Sequence, residues 1–289
     1  TLQDVARVAN VSTATVSRTL SNPVVVSEST RRRVADAVKA TGYRINHAAR
    51  NLRTQRAHSV LVLLPDLANP FFSAILEGIS RVLARQGYSM LIASTQHVHD
   101  SGERLIDYLD DARADGMIVL DGGLETDVVE MLSAASHTER ILFACEWVED
   151  ANFPSVRCEN RTGTRIAVNH LYGLGHTKIA HITGPMDNVL GQTRKEAFVE
   201  ELADLGLELK PEWIMTGDFT LAAGCLAAQE WIAMNDRPTA VFCASDQLAM
   251  GFIAARTIIG SPVLMPPSKP PLLFVWRTSD CPSSLLYLV

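Results

Sequence analysis

Apolar residues open the chain at helical spacing. Leu2, Val5, Ala6 and Ala9 recur at i, i+3, i+4 and i+7, which predicts one buried stripe on a short helix. Asn10-Val11 interrupts that stripe. Ser12 then stands where an N-cap is needed, because its hydroxyl can accept a hydrogen bond from an unpaired amide of the next turn. In the helix that follows, Val16 and Leu20 lie four apart and point inward, so Thr13, Ala14, Ser17 and Arg18 face outward. Asn22-Pro23 stops this second helix. A third starts after Ser27, with Glu28 against the positive end of the helix dipole, carries Val34 and Val38 inward, and ends near Gly42. Two short helices across a tight turn, with a third behind, form an all-α helix-turn-helix head over residues 1–45.

From Ser59 the pattern changes to short apolar runs separated by amphipathic helical stretches. The runs are "SVLVLLP", "YSMLIAS", "GMIVL", "RILFA", "SVRC", "KIAHITG", "WIMTG" and "AVFCAS". Between them lie segments such as "FFSAILEGISRVLARQG", where Phe72, Ile75, Ile79 and Val82 share a face. Alternating strands and helices predict parallel sheets covered by helices, here an α/β body of two lobes over 59–154 and 155–256. The break is placed near Pro154, with the strand at Ser155 entering the second lobe. In such sheets ligands bind beyond the C-terminal ends of the strands. The polar residues at those ends are Asp66, Asn69, Ser94, Glu146, Arg194, Asp218 and Asp246, with Phe71 and Phe72 in the first loop. Carboxylates that accept from vicinal hydroxyls, an arginine that offers a fork of donors and a ring that stacks suit a sugar- or nucleoside-like ligand.

Charge sharpens the division. Residues 1–58 hold ten Lys and Arg against three Asp and Glu, whereas the rest holds 16 against 29, within an overall net charge of −6. A basic head on an acidic body points the head toward a polyanion. Short side chains at Thr13, Ala14 and Ser17 allow close approach to a major groove, and Arg18 can grip guanine O6 and N7 together. The five cysteines are widely spaced without a CxxC, so a reduced, cytoplasmic protein with no metal site is expected. No apolar run approaches the ~20 residues needed to cross a bilayer, and the polar start "TLQDVARVAN" is unlike a secretory signal. There is no GxGxxG after a strand, no GxxxxGK[ST] and no GxSxG, which argues against a Rossmann-type enzyme, and no cofactor is expected.

The stretch "TLQDVARVANVSTATVSRTLSNPVVVSESTRRRVADAVKATGY" closely resembles the DNA-binding head of the LacI/GalR family of bacterial repressors. The match runs through Asp4-Val5-Ala6, Val11-Ser12, Thr15-Val16-Ser17-Arg18, Val26-Ser27, Thr30-Arg31, Val34 and Gly42-Tyr43. The resemblance implies that Thr13 and Ala14 sit at the main base-reading positions, with Ser17 and Arg18 contacting DNA beside them. Next, in residues 46–58, Asn46 can cap a short helix with Ala48, Ala49 and Leu52, made positive by Arg50, Arg53 and Arg56. Such a helix is too short to stand alone and needs a partner. In the family this segment is a hinge helix that folds on the operator. Leu52 matches the leucine that wedges into the minor groove, and Ala49 the small residue that lets paired hinges approach. In the body, "NPFFSAILEGI", "LGHTKIAHITGP", "GDFTLAAG" and "RPTAVFCASDQLAMG" resemble the family's effector domain, which is similar to periplasmic sugar-binding proteins, and the similarity points to the cytidine-repressor branch. It places Phe71, Phe72, Glu146, Arg194 and Asp246 at effector-binding positions. The implied protein is a repressor that binds a pseudo-palindromic double-stranded operator as a homodimer and responds to a small molecule.

The tail, residues 257–289, departs from that pattern. It carries six prolines, five of them in "SPVLMPPSKPP", and only Lys269, Arg277 and Asp280 as charges. The abrupt change resembles a shifted reading frame, and "LLFVW" reads as an exposed apolar run prone to aggregation. A C-terminally incomplete body would leave edge strands unpaired and one wall of the cleft missing. The alternatives are therefore a repressor defective in dimerisation or effector binding, and, further off, a sugar-binding protein without regulation.

Overall fold

The structure is a computed structural model that describes residues 1–44, 56–95, 104–149 and 151–256, and the backbone of 257–259, 272–276 and 285–288. The hinge positions Ala49 and Leu52 lie outside the described residues. The chain divides into two units, Thr1–Arg56 and Ala57–Val289.

The head contains the three expected helices, α1 (Leu2–Ala9), α2 (Thr13–Ser21) and α3 (Glu28–Thr41). Thr1 and Asp4 cap α1 reciprocally, Ser12 accepts from the Thr15 amide, and Ser27 accepts from the Thr30 amide. Asn10 closes α1 at φ 50° and Gly42 closes α3 at φ 60°, left-handed conformations that glycine adopts without strain and asparagine tolerates. Val5, Ala6, Ala9, Val16, Val34 and Ala37 form the core, with Leu2, Leu20 and Val38 partly buried around it. Arg33 on α3 reaches across to donate to the carbonyls of Ala9 (2.6 Å) and Asn10 (2.7 Å). A cation thus satisfies the open carbonyls at the end of α1 and fixes the turn into α2.

In the body, β1 (Ser59–Leu64), α4 (Pro70–Arg85), β2 (Ser89–Ser94), α5 (Asp107–Asp110), β3 (Gly116–Val119), α6 (Thr126–Ala134), β4 (Ile141–Ala144) and β5 (Ser155–Val156) make the first lobe. Its strands are all parallel in the order β2-β1-β3-β4-β5. The second lobe contains α7 (Asn160–Gly173), β6 (Ile179–Ile182), α8 (Val189–Asp204), β7 (Ile214–Met215), α9 (Leu221–Ala233), β8 (Ala240–Cys243), α10 (Asp246–Ile259), β9 (Leu272–Trp276) and β10 (Leu285–Leu288), with sheet order β10-β9-β8-β6-β7. Both layers bury apolar strands on two faces, as parallel sheets require: β6 and β8 are buried throughout.

Three expectations are corrected. The strand at Ser155 pairs with β4, Phe143 to Ser155 and Ala144 to Val156, so it closes the first sheet and the crossing to the second lobe comes after it. Val82 is 59% exposed, outside the buried face of α4 that Phe72 anchors. The tail's "LLFVW" is a strand: β9 pairs in parallel with β8 from Ala240↔Leu272 to Cys243↔Val275, and β10 returns antiparallel to β9. An open edge of β8 offers unpaired amides and carbonyls, and a β-prone apolar run satisfies them. The second sheet is therefore five-stranded on this side despite the atypical sequence.

Candidate functional site

The head presents one candidate surface. Thr13, Ala14, Ser17 and Arg18 line a single shallow depression together with Leu2 and Ser21. Val16 is fully buried beneath them and Thr19 nearly so, which fixes the rotation of α2 about its axis. Thr19 and Ser21 donate back to the carbonyls of Thr15 and Ser17. Thr13 and Ala14 stand in the first turn of α2, exposed beside the N-cap, and Arg18 is exposed one turn on. The face can admit a nucleic-acid edge at close range and meet it with a hydroxyl, a methyl and a guanidinium.

The body contains a cavity of about 350 Å³ where the two lobes face each other. Asn69, Phe71, Phe72 and Glu146 line it from the first lobe, and Arg194, Phe219, Ser245, Asp246 and Gln247 from the second. The side chains arrive from the loops after β1, β4, β7 and β8 and from the N-terminal turns of the helices that follow β1, β6 and β8, beyond the C-terminal ends of the strands. Asn69 caps α4 by accepting from the Phe71 amide at 3.0 Å. Phe71 is half-buried at the cavity, and the buried Phe72 backs it edge-on with ring centroids 5.1 Å apart. Ser245 accepts from the Leu248 amide, so α10 begins at the cavity with Asp246 in its first turn.

Glu146 and Arg194 are both buried, 5% and 6% exposed. The Glu146 Oε2 accepts from the Gly122 amide at 2.7 Å and from Asn188 Nδ2 at 2.9 Å. Burial pushes the Glu146 carboxyl up to about 7, with nearby Asp121 adding to the rise against the two hydrogen bonds and Arg194. Arg194 donates from Nε (3.0 Å) and Nη2 (2.9 Å) to Asn160 Oδ1, and from Nη1 to the Ala244 carbonyl (2.5 Å). Burial lowers its guanidinium to about 10, with Glu146 foremost among the acids that oppose the fall, so it stays charged at neutral pH. Of its five N–H groups, these bonds use three, and the rest can meet a ligand. Asn160 in turn donates from Nδ2 to the Cys158 carbonyl at 2.9 Å, which holds its oxygen toward Arg194.

Of the residues expected to bind a small molecule, Phe71, Phe72, Glu146, Arg194 and Asp246 are thus brought together, with Asn69 beside them. Asp218 is not among them. It is exposed, and its Oδ1 accepts from the Thr220 amide (2.9 Å) and hydroxyl (2.6 Å) in the turn before α9. Its neighbour Phe219 lines the cavity instead, at φ 65°, with its ring packed over Gly184 so closely that a Cβ there would meet it at 2.1 Å. Of the other strand-end residues, Asp66 accepts from the Ala68 amide in a local turn, and Ser94 at the end of β2 donates to the Pro65 carbonyl beyond β1; neither lines the cavity. Asn160, Asn188 and Phe219 went unrecognised in the sequence.

Among the described residues no group of three or more His, Cys, Asp or Glu could hold a metal ion, and no helix is long and apolar enough to cross a membrane.

Comparison with known proteins agrees with this geometry. Residues 1–46 match the family described as "Bacterial regulatory proteins, lacI family", and residues 57–260 match "Periplasmic binding proteins and sugar binding domain of LacI family". The chain is 37% identical over 254 residues to the HTH-type transcriptional repressor CytR of Escherichia coli strain K12, covering 88% of this chain and 74% of that one. It is 31% identical over 255 residues to the repressor PurR of Vibrio cholerae, covering 88% and 75%. Among solved structures it is similar to a Lac repressor dimer bound to operator and the anti-inducer ONPF, with TM-score 0.75, 27% identity and coverage of 90% and 78%. A complex of the regulator CelR with cellobiose is also similar, with TM-score 0.62, 28% identity and coverage of 90% and 78%.

Proposed function

The chain belongs to the LacI family of bacterial regulatory proteins, and we propose that it is a transcriptional repressor that binds a pseudo-palindromic operator as a homodimer and answers to a sugar- or nucleoside-like effector. The observation that carries the reading is the outward face of α2, where Thr13, Ala14, Ser17 and Arg18 share one surface above the buried Val16. In this role α2 enters the major groove, Arg18 grips a guanine, and the small residues let the helix seat deeply. Ala49 and Leu52, in the segment between head and body, act at the minor groove as the hinge.

The cavity between the lobes takes the effector. Phe71 and Phe219 offer ring faces, Glu146 and Asp246 accept from hydroxyls, and Arg194 donates. A polar ring of nucleoside size fits about 350 Å³ and this set of donors and acceptors. On this reading the protein works in the cytoplasm by binding alone, without a catalysed reaction, a metal or a cofactor.

The test is selection of duplexes from a random pool by the full chain, followed by affinity measurements at fixed salt. Recovery of a two-fold related sequence that binds far more tightly than its scrambled form supports the reading. Binding without sequence preference refutes it.

A second reading, a repressor impaired in dimerisation or effector binding, is favoured by one observation: the family match ends at residue 260, at the start of the atypical tail, and does not extend through it. Sedimentation decides between them. A dimer at micromolar concentration supports the first, and a monomer on and off operator DNA supports the second.

A further inference from the structure

We propose that Asn188 is a positioning residue that joins the two lobes across the cavity and commits one oxygen of Glu146, leaving the other to meet the effector. The proposal rests on the reading of the cavity as an effector site, and the experiment below separates the two.

Asn188 uses both ends of its side chain. Its Oδ1 caps α8, accepting from the amides of Leu190 (2.8 Å) and Gly191 (3.4 Å). Its Nδ2 donates to Glu146 Oε2 in the opposite lobe at 2.9 Å. The same oxygen receives the Gly122 amide at 2.7 Å from the loop after β3. Donors from both lobes thus converge on Oε2, and among the described residues none reaches Oε1, although Glu146 lines the cavity. Six residues beyond Asn188, on the helix that it caps, stands Arg194. One amide side chain therefore sets the start of the helix that carries the cationic ligand group and the orientation of the acidic one.

The arrangement fixes where a proton goes. With Oε2 accepting two hydrogen bonds, protonation of Glu146 places the hydrogen on Oε1. That atom is then an acceptor toward the cavity when the carboxyl is ionised and a donor when it is neutral. The charged or titratable groups around it are Asp121 after β3, Arg194 on α8, and Cys145 beside it on the same loop, with Cys158 after β5 and Asp246 at the start of α10 facing Arg194. Asn188 stabilises the ionised form by donating to it, so removing that donor raises the midpoint of Glu146.

The experiment is a carboxyl 13C titration of the ligand-free full chain, with Glu146→Gln used to assign the signal. Asn188→Ser and Asn188→Asp both keep an oxygen that can cap α8. The clasp predicts a midpoint raised by about half a unit or more in Asn188→Ser, and further in Asn188→Asp, where a second carboxyl faces the first. It also predicts that the Asn188 side-chain amide of the unaltered protein titrates with the midpoint of Glu146. An Asn188 that serves only as a helix cap leaves the Glu146 midpoint in place in Asn188→Ser and raises it in Asn188→Asp alone, through the added charge, and that outcome, or an Asn188 amide indifferent to pH, overturns the proposal. Calorimetry with adenosine, cytidine, guanosine and uridine forms the second arm. A nucleoside that binds the unaltered protein is expected to lose about tenfold in affinity in Asn188→Ser. If no nucleoside binds the unaltered protein, the assignment of a nucleoside effector fails, while the carboxyl titration still decides the role of Asn188.

Discussion

Arg18 and Glu146 are opposite uses of charge. Arg18 is held in water on a short helix, where its guanidinium is available to a partner. On the proposed reading, in which Arg18 grips a base, Arg18→Ala should lower affinity for the selected duplex by about 1–3 kcal/mol and affinity for a scrambled duplex by much less. Competition binding at fixed salt measures this, and equal losses on both duplexes would argue against a base contact. Glu146 is held out of water, and its carboxyl is raised from the ordinary 4.5 to about 7 by burial. A carboxyl that binds its proton more tightly when folded stabilises the fold fully below the unfolded value, and that contribution is lost as pH rises through the folded one. Ligand-free stability should therefore fall between pH 4.5 and 7 by on the order of 3 kcal/mol from this group. In Glu146→Gln that part of the slope should vanish. Denaturant titrations at a series of pH values test it, and an unchanged slope in the variant would show that Glu146 is not its source. These two residues were legible in the sequence for different reasons. Arg18 was fixed by helical phase against Val16 and Leu20. Glu146, like Arg194 and Asp246, was found because it follows a strand end. The same rule misplaced Asp218, because strand ends carry cap residues as readily as ligand residues, and which of Asp218 and Phe219 turns inward depends on a left-handed backbone that no local pattern announces. Asn160 and Asn188 were invisible, since their work is done for side chains 34 and 42 positions away.

At the scale of the element, caps and periods were the reliable signals. Ser12, Ser27 and Gly42 begin or end helices where expected, because a capping side chain satisfies orphan backbone groups within its own few residues. Strand partners follow from the sheet instead. Ser155–Val156 was assigned to the wrong lobe because a two-residue strand has no period, and its partner β4 is chosen by backbone pairing. β9 was read as a loose apolar run because the surrounding prolines break the rhythm, yet β8 supplies the edge that it completes. That pairing is testable through the backbone. Phe274→Pro removes one amide from β9 and should destabilise the second lobe by about 3 kcal/mol, with a matching fall in thermal midpoint. A variant as stable as the parent would mean that β9 does not support the sheet. The segment with Ala49 and Leu52 belongs to this scale too. If it folds on DNA as a paired helix, Leu52→Ala should reduce operator bending, read by circular-permutation mobility or by energy transfer between duplex ends. A bend that persists would remove the wedge role.

The whole molecule combines two sites of different character, a basic head with a groove-sized helix and an acidic body with a polar cavity. Regulation requires that they be energetically coupled, and the coupling must be reciprocal: an effector that weakens operator binding is itself bound more weakly in the presence of operator. The clasp from Asn188 to Glu146 gives the body a contact that a ligand in the cavity can keep or disturb, since α8 and the first lobe meet there. The most direct measurement of the account is the affinity for the selected duplex, by fluorescence anisotropy at fixed salt, with and without a saturating concentration of the nucleoside or sugar that binds the cavity. The unaltered protein should change its affinity by roughly 5- to 150-fold, in either direction, and Asp246→Ala should keep its operator affinity while losing that response. An affinity that stays the same with the cavity demonstrably filled would contradict the account.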